Sequence, residues 1–349
     1  MNMPDGDPYF LHLLRECRDP DRQRRMRALE TLSKDYIELV KADFLLFLLY
    51  RATHYEEQIA VLSMMSQLGP GAPIDELVAI LQDRADSNEL PRGYVAAVLA
   101  ALEEKAPLDV FIGILQDPTE EVGLREDIAG LLGQFGERVP LDVLLAAVAD
   151  PEPGVCAAGI ESLIEQGSRA PLEPILAQMI HPEWYVRKAA IRALSAARER
   201  APIEPIVAAL NDPDARVRDA AALGVDILLE WFGSRVPLAP LISALGDENA
   251  NVRESSLDAL ANHPEYAPVE LVVQALDDAN PYVRCAALLV LERVGGERVP
   301  EEVYPKLVEM TATETHINAR KYATRTLLIL KGILPGQAYG YPGGEFTEG

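Results

Sequence analysis

Residues 202–233, PIEPIVAALNDPDARVRDAAALGVDILLEWFG, carry the pattern that decides the fold. Ile203, Ile206, Val207 and Leu210 fall at i, i+3, i+4 and i+7, one apolar stripe of a helix. Pro202 suits the first helical turn, where its missing N–H costs no hydrogen bond. Asn211-Asp212-Pro213-Asp214 then stops the helix. The residue before a proline is pushed out of the α region, and an Asp can cap the helix that follows. A second apolar face begins with Val217, Ala220, Ala221 and Leu228 and ends near Phe232-Gly233, where glycine accepts a left-handed cap. The stretch is a helix hairpin.

The hairpin recurs. Proline-led copies start at Pro107, Pro140, Pro171, Pro202, Pro237, Pro268 and Pro300, 31 to 35 residues apart. A Val-Arg pair returns at Val186-Arg187, Val217-Arg218, Val252-Arg253 and Val283-Arg284, with each Arg 16 residues after its leading proline. A fixed period with a fixed internal offset marks stacked repeats rather than one globular core. Three weaker helix pairs cover 8–34, 36–69 and 73–106, and the Pro300 unit lacks Val-Arg and reads as a terminal cap. The expectation is an all-α superhelical solenoid of about ten hairpins. Degenerate repeats occupy 1–106 and a regular array with its cap 107–331. A flexible tail occupies 332–349, in which Tyr339, Tyr341 and Phe346 offer anchors for docking.

Composition narrows the function. The 349 residues include 55 acidic and 32 basic side chains, a formal charge of −23. Such a field repels nucleic-acid backbones and anionic membrane surfaces and favours basic partners. Cys17, Cys156 and Cys285 are odd in number and show no metal-ligand spacing, which fits a reducing, cytoplasmic setting without structural zinc. The polar start, Met1 to Pro8, does not read as a signal peptide. The apolar run Phe44 to Tyr50 is far shorter than the roughly 20 residues that span a bilayer, and reads as a buried helix.

The turn residues (Asp150-Pro151, Asp212-Pro213, Asp277-Asp278), the Val-Arg pairs and the small residues after them (Ala189-Ala190, Ala220-Ala221, Ser255-Ser256, Ala286-Ala287) resemble HEAT-repeat proteins. Within that family they resemble the short repeats first noted in phycobilisome lyases. The resemblance implies a right-handed α-α superhelix of HEAT-like hairpins. It also implies an inter-repeat ladder in which Arg187, Arg218, Arg253 and Arg284 bind turn carboxylates such as Asp212, Asp247 and Asp278. Cys156 stands where an Arg is expected, and His181 replaces a turn Asp, so the ladder is expected to break there.

No catalytic residue is expected, nor any metal or cofactor. His12, His54, His181, His263 and His316 are scattered, none is followed by Glu, and no phosphate-binding or nucleophile motif is present. The His-Glu pairs of the HEAT-like iron hydroxylases are missing, and the charge is wrong for the HEAT-like DNA glycosylases. The repeat alone also allows a bilin lyase or chromophore chaperone acting on a phycobiliprotein, since one fold hosts many functions.

A protein partner is the leading expectation, held along the concave face that the second helices line in this family. Counting the Val of Val-Arg as zero, positions 0, +4, +5 and +8 are steadily apolar or small and should be buried. Positions −1, +2, +6 and +9 vary and should form one exposed stripe. The stripe reads Tyr185, Lys188, Arg192, Ser195; then Arg216, Asp219, Leu223, Asp226; then Asn251, Glu254, Asp258, Ala261; then Tyr282, Cys285, Leu289, Glu292. Acidic positions around exposed Leu223, Leu289 and Tyr282 suit a basic or amphipathic segment. Trp184 is either an anchor or packing for the next repeat, and Trp231-Phe232 reads as core. Arg22, Arg24, Arg25 and Arg27 read as a solvated helix face.

Overall fold

A computed structural model of the chain describes residues 7–84 and 90–334. These residues form twenty α-helices joined by turns, with no strand among them. The expected tail from residue 335 on, including Tyr339, Tyr341 and Phe346, lies outside the described residues. Cα packing divides the chain into unit 1, Met1–Ala170, and unit 2, Pro171–Gly349.

Unit 1 contains five hairpins: α1 (Pro8–Glu16) with α2 (Arg22–Asp35), α3 (Ala42–Arg51) with α4 (Tyr55–Gln67), α5 (Ile74–Gln82) with α6 (Arg92–Ala100), α7 (Leu108–Gln116) with α8 (Val122–Leu132), and α9 (Leu141–Val148) with α10 (Pro153–Ile164). Unit 2 contains five more: α11 (Glu173–Ala177) with α12 (Trp184–Ala196), α13 (Ile203–Ala208) with α14 (Ala215–Phe232), α15 (Ala239–Ala244) with α16 (Ala250–Asn262), α17 (Val269–Gln274) with α18 (Pro281–Val294), and α19 (Val303–Thr313) with α20 (Ile317–Leu330). Within each unit the second helices pack in chain order: α2, α4, α6, α8, α10, and α12, α14, α16, α18, α20. Each unit is an α-α solenoid.

The binary pattern explains the stacking. Val186, Ala190, Ile191 and Leu194 are buried, as are Val217, Ala221, Ala222 and Val225. The same four positions are buried in α16 and α18. Small residues let backbones approach. A Cβ on Gly159 of α10 would stand 2.8 Å from Ala147 and Val148 backbone atoms at the end of α9. The apolar run Phe44 to Tyr50 lies in α3 and buries Leu45, Leu48 and Leu49, while Phe47 and Tyr50 are exposed. Among the described residues no helix is long and apolar enough to cross a membrane.

One local reading shifts. Pro107, Pro140, Pro202 and Pro268 are not inside the first turn but at the N-cap, with the helix starting one residue later. A φ near −65° suits either place, and the cap needs only the extended ψ that proline accepts. The Asp expected to cap α14 is Asp214, which accepts the Arg216 amide at 2.9 Å. Asn249 and Asn280 cap α16 and α18 the same way. Gly233 closes α14 at φ +52°, a region that disfavours residues with a Cβ.

Candidate functional site

The arginine ladder is formed by a repeated set of bonds. Arg187 donates Nε and Nη2 to Asp212 at 2.8 and 2.7 Å, and Nη1 to the carbonyls of His181 and Pro182. Arg218 binds Asp247 at 2.7 and 2.9 Å and reaches the Asp212 and Pro213 carbonyls. Arg253 binds Asp278 at 2.7 and 2.8 Å and reaches the Asp247 and Glu248 carbonyls. Arg284 makes the same fork to Glu314 at 2.8 and 2.7 Å, with Nη1 on the Asp278 and Ala279 carbonyls. A planar guanidinium fits because its edges face in two directions, one toward the next turn's carboxylate and one toward its own turn. Burial pushes the Asp247 carboxyl up. The Arg218 hydrogen bonds and the Asn249 amide more than offset it, leaving it below the usual range. Asp278 behaves likewise with Arg253 and the Asn280 amide.

Several ladder members escape a template anchored on the leading proline. Arg25 forks onto Glu57 and donates to the Asp19 and Pro20 carbonyls, so it belongs to the ladder and not to a solvated face. Its neighbours are also engaged, Arg22 with Glu56 at 2.8 Å and Arg24 with Asp19 at 3.3 Å, while Arg27 is exposed. Arg92 pairs with Glu120 and Arg125 with Asp150, each also donating to a carbonyl at the end of the preceding helix. Counting six residues from the turn Asp, as from Asp212 to Arg218, leads from Asp19 directly to Arg25. At the expected break, Cys156 is buried and its thiol donates to the Val148 carbonyl at 3.0 Å. Burial pushes that thiol up to about 11. His181 keeps a ladder role through its carbonyl, and its Nδ1 accepts the Glu183 amide at 3.1 Å.

The variable stripe sorts by angle around the helix. At 100° per residue, positions −1 and +6 lie opposite the buried arc, +2 lies nearer its edge, and +9 stands only about 40° from the buried +5. Arg192, Arg216, Asn251, Tyr282 and Leu223 are exposed, the last by 50 %. Tyr185, Lys188, Asp219, Glu254, Cys285 and Asp258 are half-buried, and so is Asp226. Leu289 is half-buried rather than exposed. The +9 row turns into the packing: Ser195 and Ala261 are buried. Glu292 is only 6 % exposed and bonds Arg325 of α20 at 2.7 Å, which removes it from the accessible stripe.

Asp219 of α14 accepts the Ser255 hydroxyl of α16 at 2.6 Å. Asp226 is held by Asn262 at 3.0 Å and by His263 at 3.1 Å. Burial, followed by the charges of Asp258 and Asp219, pushes the Glu254 carboxyl up. The three carboxylates Asp219, Glu254 and Asp258 therefore share one acidic patch on adjacent helices. On the basic side, Arg216 stacks 3.4 Å from the Trp184 ring centroid and hydrogen-bonds Asp214, holding that carboxyl down at about 2. Trp184 is thereby tied to the next repeat, with Tyr185 edge-on to it at 5.7 Å. Trp231 is 43 % exposed, with Arg198 over its ring, and is not core. Among the described residues no His, Cys, Asp and Glu side chains gather to hold a metal.

No curated protein matches the sequence. Two solved structures of the karyopherin Kap121p, one bound to the extreme C-terminus of the protein phosphatase Cdc14p and one bound to Pho4p, are 18 % and 19 % identical, with TM-scores of 0.54 and 0.53. Each match covers 94 % of this chain but only 42 % of Kap121p. The Escherichia coli protein YibA is 20 % identical with a TM-score of 0.56, over 78 % of this chain and 95 % of its own. Similarity at these identities speaks for the fold. The family model described as HEAT repeats matches residues 170–234 and 238–327. The matched segments take in the regular repeats of unit 2, which are similar to HEAT repeats.

Proposed function

We propose that the chain is a non-enzymatic scaffold or adaptor that binds a basic or amphipathic protein segment along the face formed by α12, α14, α16 and α18. The observation that carries the reading is the acidic patch of Asp219, Glu254 and Asp258 beside exposed Leu223 and Tyr282. A carboxylate raised first by burial and then by its neighbours' charges gains when a cation arrives, and exposed apolar side chains reward the stem that carries it. The basic end, Tyr185, Lys188, Arg192 and Arg216, would select against a uniformly basic segment and fix its direction. Solenoids present long faces of this kind to partners. The Kap121p structures, with a phosphatase C-terminus or Pho4p bound, are an instance on a similar fold. The lyase subclass gains no support from a family model that matches HEAT repeats in general.

The test is fluorescence anisotropy with a labelled Arg/Leu-rich peptide. Replacing Asp219, Glu254 and Asp258 by Ala together should weaken binding about tenfold or more and flatten its salt dependence. Unchanged affinity and salt slope in the triple variant would remove this face from consideration.

A further inference from the structure

We infer that the cleft between the first two turns of unit 1 binds a phosphate monoester through Arg18 and Arg51. In the unit 2 ladder, Nη1 of each Arg reaches the carbonyl six residues before it. The residue one step further back is Ile180, Asn211, Gly246 or Asp277. In the first repeat Arg25 reaches the Asp19 carbonyl, and in the second Gln58 takes the ladder position and reaches the Ala52 carbonyl at 3.3 Å. The equivalent position is then Arg18 in one and Arg51 in the other. Equivalent positions of adjacent repeats stack, so two cations stand side by side where the unit 2 repeats have none.

Neither guanidinium has a hydrogen-bonded or ion-paired partner among the described residues, and both are exposed. Both rest over one ring instead: Arg18 lies 4.9 Å and Arg51 5.4 Å from the centroid of Phe47, and Arg18 also lies over Phe44. They border a cleft of 370 Å³ floored by Leu29, Leu48 and Val61. The two acids that line it are already engaged, Asp19 with Arg24 and Glu57 with Arg25. The charge left facing the cleft is that of Arg18 and Arg51. Like charges in register repel, and an anion that bridges them relieves the repulsion and completes both forks. A phosphate monoester brings about two negative charges near neutral pH, and its organic stem meets the apolar floor. The net charge of −23 opposes any anion at long range, but beyond roughly 8 Å it is screened at physiological salt.

This site is separate from the unit 2 face, and its failure would leave that reading intact. Calorimetric titration of the full chain with phenyl phosphate tests it, with inorganic phosphate, a phosphoserine peptide and benzoate as further probes. Saturable binding of phenyl phosphate is expected, at least tenfold tighter than benzoate and at least tenfold weaker in R18A/R51A. F47L, which keeps an apolar residue but loses the ring platform, should fall between. Tighter binding of the phosphoserine peptide than of phenyl phosphate would name a phosphorylated protein as the source, and equal binding a small phosphate. A melting temperature equal to that of the native chain shows that each variant is folded. Equal affinity in native and folded R18A/R51A protein, or no saturable binding of any phosphate probe, overturns the assignment.

Discussion

Replacing Arg218 by Ala isolates what one ladder guanidinium contributes. The side chain is buried and makes two bonds to Asp247, two to turn carbonyls and one to Glu248. The Glu248 contact adds little, because that carboxylate is exposed. Asp247 decides the magnitude. Its side chain is 11 % exposed, and after the substitution its carboxylate keeps only the Asn249 amide at 2.8 Å. Removing one partner of a buried pair costs about 3–5 kcal/mol, and the residual exposure places this case near 3. For a unit of this size that lowers the melting temperature by roughly 6–12 °C. Urea and thermal melts followed by circular dichroism read it directly. Arg218→Met with Asp247→Leu should recover most of the loss, since no charge is then stranded. The folded Asp247 carboxyl titrates below its ordinary 3.8, so the pair's contribution is present above that value. It is lost as pH falls through the folded value, and the gap between native and variant should narrow there. A loss under about 1 kcal/mol, or a double variant as unstable as the single, would refute the reasoning.

Gly159→Ala should destabilise unit 1 by about 1–3 kcal/mol, because the new methyl meets α9 backbone rather than a movable side chain. Gly130→Ala on α8, where a Cβ meets nothing within 4 Å, is the control and should be neutral or stabilising in the same denaturation series. The Asp226 hydrogen bond raises His263 above its ordinary 6.5. The protonated pair therefore contributes stability below that value and loses it as pH rises through the folded value. An NMR titration of His263 should show the raised value in the native chain and its loss in Asp226→Asn.

The hairpins were legible because helix periodicity and turn chemistry are local. The ladder was legible only where its local context repeats. Arg187 to Arg284 share the offset from a leading proline, whereas Arg25 shares only the offset from its turn Asp. Glu314 was hidden because it is one methylene longer than the Asp it replaces, and the fork reaches it all the same. The stripe was half legible. A spacing of three and four finds the solvent side of an isolated helix, but a stacked helix has neighbours on two flanks. Position +9 faces one of those flanks, so Glu292 meets Arg325, a residue of the cap that no Val-Arg pattern marks.

Asp212 does two jobs at one joint: its carboxylate takes the arginine of the repeat before, and its carbonyl takes the arginine of its own repeat. Asp247 and Asp278 do the same. A joint built this way carries no record of its place in the row. A hairpin duplicated within the gene would arrive with a socket for the preceding guanidinium and a plug for the following carboxylate. A cut through the middle of a hairpin would strand one of each. Copy number can therefore drift in whole steps while every interface stays the same, and the array can change its length in evolution without inventing a new contact.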